Sequence, residues 1–398
     1  MSTRSTVDFL KTETGSGMLL AAAALSAIVW ANSPWAAAYH ALVTQEMPVQ
    51  IGPFAETMSF GDWVKTALMP IFFFVVGLEI KHEILRGELS NPRRLALPIL
   101  AAVGGVAVPA LIYLALSGDA HGANRGWPIP TATDIAFALA ALAMVGSRLP
   151  AALRVFLLTL AIADDLAAVV LIAVLFTAEL RLPMLAAAGL TLGGLAALSR
   201  WRRAPYVLWA LGGLVLWGFT LKSGVSTSIA GVAAAAFLPL GPKRPGGRGM
   251  LDETMAALHP YVAFLILPLF AFTAAGFGFG GAGGGIIGPI SLGVAAGLFV
   301  GKQVGVFGAA LLAITLRWAR RPTGAKWLEL YGVSVLCGVG FTMSLYIGAL
   351  AFGAGDPLQQ AQVRAGVVLG SLASVALGVA VLWICGARRA RESAPRAQ

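Results

Sequence analysis

Apolar residues arrive along this chain in blocks, each about long enough to cross a bilayer, with short polar punctuation between them. A bilayer core takes ~20 mostly apolar residues per helix. Twelve segments reach that length, at about 13–31, 62–84, 95–116, 128–146, 150–176, 183–199, 205–221, 223–240, 255–275, 287–314, 327–350 and 360–385. Alternating patterns of barrel type are absent, and open strands cannot span lipid, so the pattern predicts an all-α membrane protein. The loops are short, so the expectation is a single polytopic membrane domain over residues 1–398.

Two of the spans are interrupted. Span four opens Trp127-Pro128-Ile129-Pro130-Thr131-Ala132-Thr133-Asp134, and span eleven contains Cys337-Gly338-Val339-Gly340-Phe341-Thr342-Met343-Ser344. Proline removes a backbone donor and glycine weakens a helix. Two connections also stand out. Residues 44–58, TQEMPVQIGPFAETM, suit a small hairpin and a subunit contact. Residues 276–285, GFGFGGAGGG, read as a flexible linker.

Composition agrees with the pattern. The chain is 58% hydrophobic and 12% charged, with mean hydropathy +0.82, where soluble domains carry about 25% charged residues. The net charge of +10 raises nucleic acid as a partner, but its distribution removes that reading. With both termini cytoplasmic, 22 of the 28 Lys and Arg fall on the cytoplasmic side and five outside, and Lys302 lies within a span. The basic excess reports orientation in the membrane. Residues 18–31 follow Asp8 and Glu13, which suits a first span with an amphipathic lead-in better than a signal peptide. Cys337 and Cys385 read as small packing residues without a disulfide.

In this topology spans three to five and ten to twelve run in opposite senses, as inverted repeats over about 95–176 and 287–385. Their middle helices are the broken ones. Broken helices at matching positions of inverted repeats point to a transporter's binding site.

Charge at membrane depth points to the same place. Asp134, Asp164, Asp165 and Lys302 all fall within spans, and an aspartate at a helix centre costs ~2.5–3.5 kcal/mol on insertion scales. Asp134 stands where the second half of span four begins, and the positive end of a helix compensates it there. Lys302 can offset the carbonyl ends of a broken helix or pair with a carboxylate. Adjacent helical residues point about 100° apart, so one of Asp164 and Asp165 can take Lys302 while the other faces a water-filled cavity. Such a pair titrates as a unit and can hold a proton or a small hard cation, which prefers carboxylate, hydroxyl and carbonyl oxygens. Thr133 adds a hydroxyl. No cofactor is expected beyond the transported ions.

Four motifs together resemble the NhaA family of bacterial sodium/proton antiporters: Thr131-Ala132-Thr133-Asp134-Ile135-Ala136-Phe137-Ala138, Ala161-Ile162-Ala163-Asp164-Asp165, Phe72-Phe73-Phe74-Val75-Val76-Gly77-Leu78-Glu79 and Gly338-Val339-Gly340-Phe341-Thr342-Met343-Ser344. His259-Pro260 and Leu265-Ile266-Leu267-Pro268-Leu269-Phe270-Ala271-Phe272 extend the likeness to nearly the whole chain. The rule about broken helices was drawn partly from this family, so it is no separate support. The resemblance implies a twelve-span inner-membrane protein with crossing broken helices, often a homodimer. It implies that Asp164 and Asp165 carry Na+ or Li+ and protons, with Thr133 among the ligands and Asp134, Lys302, Gly338 and Gly340 in support. It also makes Glu79, Lys81, His82, Glu83 and Glu253 candidates for a response to pH. The chain departs from its relatives at Thr66, Ser226 and Met255, where they carry acidic residues or a histidine.

The leading expectation is export of sodium or lithium against protons, pH-regulated and electrogenic. A symporter of the same fold differs only in coupling direction. An intramembrane aspartyl protease needs aspartates facing each other from two helices, which Asp164 and Asp165 do not supply. A channel of the usual symmetric-ring type draws its filter from several subunits, whereas inverted repeats in one chain favour alternating access.

Overall fold

The structure, a computed structural model, describes residues 13–52, 54–87, 92–118, 122–145, 149–177, 180–201, 204–241, 249–278, 285–353 and 355–393. The lead-in at 1–12, the basic residues Arg148, Arg202, Arg203, Lys243, Arg244, Arg248 and Arg396, and most of the glycine-rich stretch lie outside them.

Among the described residues the regular elements are helices and one hairpin. Helix α1 covers Glu13–Ala31 and α2 Ala36–Thr44. Strands β1 (Glu46–Ile51) and β2 (Phe54–Ser59) pair antiparallel from Glu46↔Ser59 to Ile51↔Phe54. Then come α3 (Phe60–Arg86), α4 (Pro92–Ser117), α5 (Ile135–Val145) and α6 (Ala151–Leu175). Next are α7 (Leu182–Leu198), α8 (Tyr206–Ser223), α9 (Thr227–Phe237) and α10 (Met250–Ala275). The chain ends in α11 (Pro289–Thr315), α12 (Trp327–Leu336), α13 (Phe341–Phe352) and α14 (Pro357–Ser393). Among the described residues eight helices are long and apolar enough to cross a membrane, or ten when each of two bent pairs is one span.

These elements form two compact units. The first holds residues 1–34, 91–168 and 274–398. Leu153, Phe156, Leu157 and Leu160 of α6 share its core with Leu330, Val333 and Leu336 of α12. Helices α4 and α11 approach backbone to backbone. A Cβ built on Gly104 would stand 2.2 Å from the Gly305 carbonyl oxygen, and one on Gly305 would stand 2.2 Å from that of Gly104. Only glycine admits such a crossing.

The second unit holds residues 35–90 and 169–273. There α3 lies on α9, again over glycine: a Cβ on Gly231 would stand 2.2 Å from the Pro70 carbonyl oxygen. Leu78, Trp209, Leu216 and Ala235 fill its core. The hairpin is fastened to α8 by Lys222, which pairs with Glu56 at 2.8 Å and lies over the Phe54 ring.

Three features depart from the hydropathy blocks. Helix α10 starts at Met250, because Asp252 and Glu253 in its first turn compensate the helix N-terminus. Helix α14 runs to Ser393, since the charged stretch ARRARE ends the apolar block but is made of good helix formers. Wide π-turns interrupt α3 at Val64–Leu68, α10 at Val262–Ile266, and α11 at both Gly297–Gly301 and Gln303–Phe307. Lys302 is the residue between the last two.

Candidate functional site

The first break is built by Pro128 and Pro130. Short 3-10 turns at Ala123–Gly126 and Ile129–Thr131 lead into an extended stretch before α5, with a 41° bend between the halves. The second lies between α12 and α13, at residues 337–340, and bends 42°. Each break frees backbone groups that lipid could not satisfy.

The breaks satisfy one another. The Asp134 N–H donates to the Val339 carbonyl at 2.6 Å, and the Thr133 hydroxyl lies 2.9 Å from the Cys337 carbonyl. One carboxylate oxygen of Asp134 caps α5 by accepting from the Phe137 N–H at 3.0 Å. The other accepts from the Thr342 N–H at 3.0 Å and the Thr342 hydroxyl at 2.5 Å, at the start of α13. The Ser344 hydroxyl donates back to the Ile129 carbonyl at 2.7 Å. Asp134 thus serves two helix starts with one side chain.

Lys302 reaches this junction from α11. Its Nζ stands 2.5 Å from Asp164 Oδ2 and 3.1 Å from the Thr133 hydroxyl. That hydroxyl accepts from Lys302 and has one proton for two acceptors, Asp164 Oδ2 at 2.7 Å and the Cys337 carbonyl. Lys302 and Thr133 are 0% exposed, and Asp164 and Asp165 1% each. Water does not solvate these charges here, so they must compensate one another. A Cβ on Gly105 would stand 3.5 Å from Lys302 Nζ, so the ammonium lies against bare backbone. Asp164 Oδ1 has no hydrogen-bond partner among the described residues. Like the Thr133 hydroxyl and the Cys337 carbonyl close by, it is an oxygen of the kind small hard cations prefer.

Of the expected supporting residues, Gly338 and Gly340 lie within the second break. A Cβ on Gly338 would stand 2.4 Å from the Leu298 carbonyl oxygen, and one on Gly340 2.6 Å from Leu298 Cδ2. Both glycines let the break press against α11. The pair Asp164-Asp165 left open which carboxylate takes Lys302, and it is Asp164. Three participants were not singled out by the sequence: the Thr342 hydroxyl, and the carbonyls of Cys337 and Val339, since a backbone acceptor shows only once the breaks are brought together.

The candidates for a pH response lie in the second unit, around the end of α3. The Lys81 ammonium donates to the Ala236 and Leu238 carbonyls at 2.6 and 2.8 Å, which caps the C-terminal end of α9. Glu79 Oε1 is 3.8 Å from His259 Nδ1. His82 lies 3.7 Å from Glu83 and 3.8 Å from Asp252, and Arg86 contacts Asp252 at 3.4 Å. At such distances the histidines make charge contacts only when protonated, not hydrogen bonds. Glu253 accepts from the Tyr206 hydroxyl at 2.6 Å. At the divergent positions, the Thr66 carbonyl accepts from Trp217 and Thr227, Ser226 is bonded to Ser228, and Met255 packs on the apolar core.

Comparison with known proteins covers almost the whole chain. Residues 7–382 match the family model described as Na+/H+ antiporter 1. The chain is 44% identical over 376 residues to the Na+/H+ antiporter NhaA of Campylobacter concisus strain 13826, covering 94% of this chain and 92% of that one. It is 47% identical over 376 residues to that of Nitrobacter hamburgensis, at 94% and 90% coverage. It is 48% identical over 378 residues to that of Rhizorhabdus wittichii, at 94% and 96% coverage.

Proposed function

The chain belongs to the Na+/H+ antiporter 1 family, and on that premise we propose that it exports sodium or lithium against protons through the cluster of Asp164, Asp165, Thr133 and Lys302. The protein is a multi-pass membrane Na+/H+ antiporter and not an enzyme. The observation that carries the site is the buried Lys302–Asp164 pair at the meeting point of two broken helices. Two carboxylates and one ammonium leave this cluster one negative charge in excess. A proton or a sodium ion neutralises it, and both together would overcharge it in a low dielectric. One site that accepts either cation, but is costly when empty, exchanges them.

The same proposal includes twelve spans, reached by adding the shorter apolar helices Leu182–Leu198 and Thr227–Phe237 to the ten. It includes inverted repeats over about 95–176 and 287–385 with crossing breaks, cytoplasmic termini, and residence in a bacterial inner membrane. A homodimer joined through the β1–β2 hairpin, control by pH through Glu79, Lys81, His82, Glu83 and Glu253, and electrogenic exchange, which needs one more proton per sodium ion than this excess charge takes up, complete it.

The test is sodium-driven proton movement in everted vesicles with an imposed pH gradient. Asp164→Asn and Asp165→Asn should each abolish exchange while the protein still inserts at normal levels. Near-normal turnover by a well-expressed Asp165→Asn protein would sink the assignment. Stimulation by an imposed membrane potential tests electrogenicity in the same vesicles.

A further inference from the structure

Helix α12 carries a carboxylate that the exchange cluster does not use. Glu329, in its first turn, is 0% exposed. Its oxygens accept from Arg389 Nε, from Arg389 Nη2 at 3.0 Å and from the Lys326 backbone N–H at 2.8 Å. Arg389 comes from the charged end of α14, and its Nη2 also donates to the Gly324 carbonyl at 2.5 Å. One guanidinium fork therefore grips both the first turn of α12 and the loop before it. Such bidentate contacts fix direction as well as distance.

The other end of α12 opens into the second break, where the Cys337 and Val339 carbonyls meet Thr133 and Asp134. Midway, the Tyr331 hydroxyl donates to Gln303 Oε1 at 2.8 Å, next to Lys302. The ten residues of α12 form a rigid rod about 15 Å long. A rod held at its base presents its far end at a fixed depth. We infer that the Glu329–Arg389 pair is a positioning device for the cation site, setting the depth of the carbonyls that orient Thr133 and Asp134. This rests on the exchange site proposed above.

A nearby pair supplies the control. Lys326 Nζ and Glu392 meet at 2.7 Å but are 51% and 62% exposed, and exposed pairs of this kind contribute little.

The experiment measures sodium-dependent proton exchange in proteoliposomes, with melting temperature in detergent. Arg389→Gln should raise the apparent sodium constant about tenfold, the low end of the loss when outer partners of a cation's ligands are removed. Maximal velocity at saturating sodium should change less. Arg389→Lys should recover part of the affinity. Arg389→Gln also strands a buried carboxylate, so it should melt lower. The double variant Glu329→Gln/Arg389→Gln strands no charge. It should regain the melting temperature but keep the raised sodium constant, and it carries the test where the single variant does not fold. Glu392→Gln should match wild type. A double variant with a wild-type sodium constant overturns the positioning role. So does a Glu392→Gln protein that loses sodium affinity as much as the Arg389 variants, since the effect would then be general surface charge. Asp164→Asn in the same assay separates the two readings. If it is active, the exchange site itself is misplaced and the positioning role goes with it. If it is inactive while the double variant binds sodium normally, the positioning role alone fails.

Discussion

Lys302 has no solvent exposure and a carboxylate 2.5 Å away. Removing one partner of a buried pair costs ~3–5 kcal/mol, because the other charge is left behind. Lys302→Ala should therefore lower the melting temperature of the purified protein more than Lys302→Arg, which keeps the charge. Equal melting temperatures would count against a pairing role. Competition at Asp164 and Asp165 makes a second forecast. If protons and sodium share the site, the apparent sodium constant should rise about tenfold per pH unit below the controlling protonation, for one competing proton. Maximal velocity should change far less. Initial rates against sodium at several pH values, in proteoliposomes without a membrane potential, check this. A flat sodium constant with a strongly varying maximal velocity would pass control to the charges around Glu79 and Glu83. At this scale the sequence exposed the charged residues and little else. A carboxylate inside an apolar block is conspicuous, whereas the hydroxyl of Thr342 and the carbonyls of Cys337 and Val339 look ordinary until they meet partners 204 to 208 residues away.

Helices were legible because lipid imposes a length on apolar blocks, and the blocks at 150–176 and 287–314 end within two residues of Ala151–Leu175 and Pro289–Thr315. Their internal geometry was not. A π-turn keeps the same apolar composition as an α-turn, so the wide turns flanking Lys302 left no mark on the pattern. The glycines of α4 and α11 were equally mute, since glycine in a membrane helix is common and only a neighbour shows which one is required. Gly104 and Gly305 are required by the crossing: an added methyl there meets a carbonyl oxygen 2.2 Å away. Gly104→Ala and Gly305→Ala should each lose ~1–3 kcal/mol by overpacking, read as a lower melting temperature. Gly308→Ala, one turn further on and with nothing within 4 Å of the new methyl, should be neutral or stabilising by up to ~1 kcal/mol, the helix preference of alanine over glycine. Identical melting of the Gly305 and Gly308 variants would contradict the crossing.

Across the whole molecule, the sequence located both breaks, but not that they complete each other. Proline and glycine mark where a helix stops and leave unstated which groups take up the freed backbone. That reciprocity has a consequence for biosynthesis. Asp134 and its donor partner Thr342 are 208 residues apart in the chain. At ~5–20 residues per second the ribosome needs on the order of 10–40 seconds to make the second after the first. Throughout that interval the unwound segment before α5 is already made while its donors and acceptors do not yet exist. A nascent chain halted before α12 should leave this segment reachable from water or held by the insertion machinery. A cysteine introduced by Ala132→Cys should then react with a water-soluble thiol reagent in the halted chain. In the finished protein, with Cys337→Ser and Cys385→Ser, the same cysteine should be protected, because Ala132 is 1% exposed. Completion of the proposed ion site thus falls to a later-made part of the chain, and translation that stalls in between leaves a carboxylate stranded in the membrane.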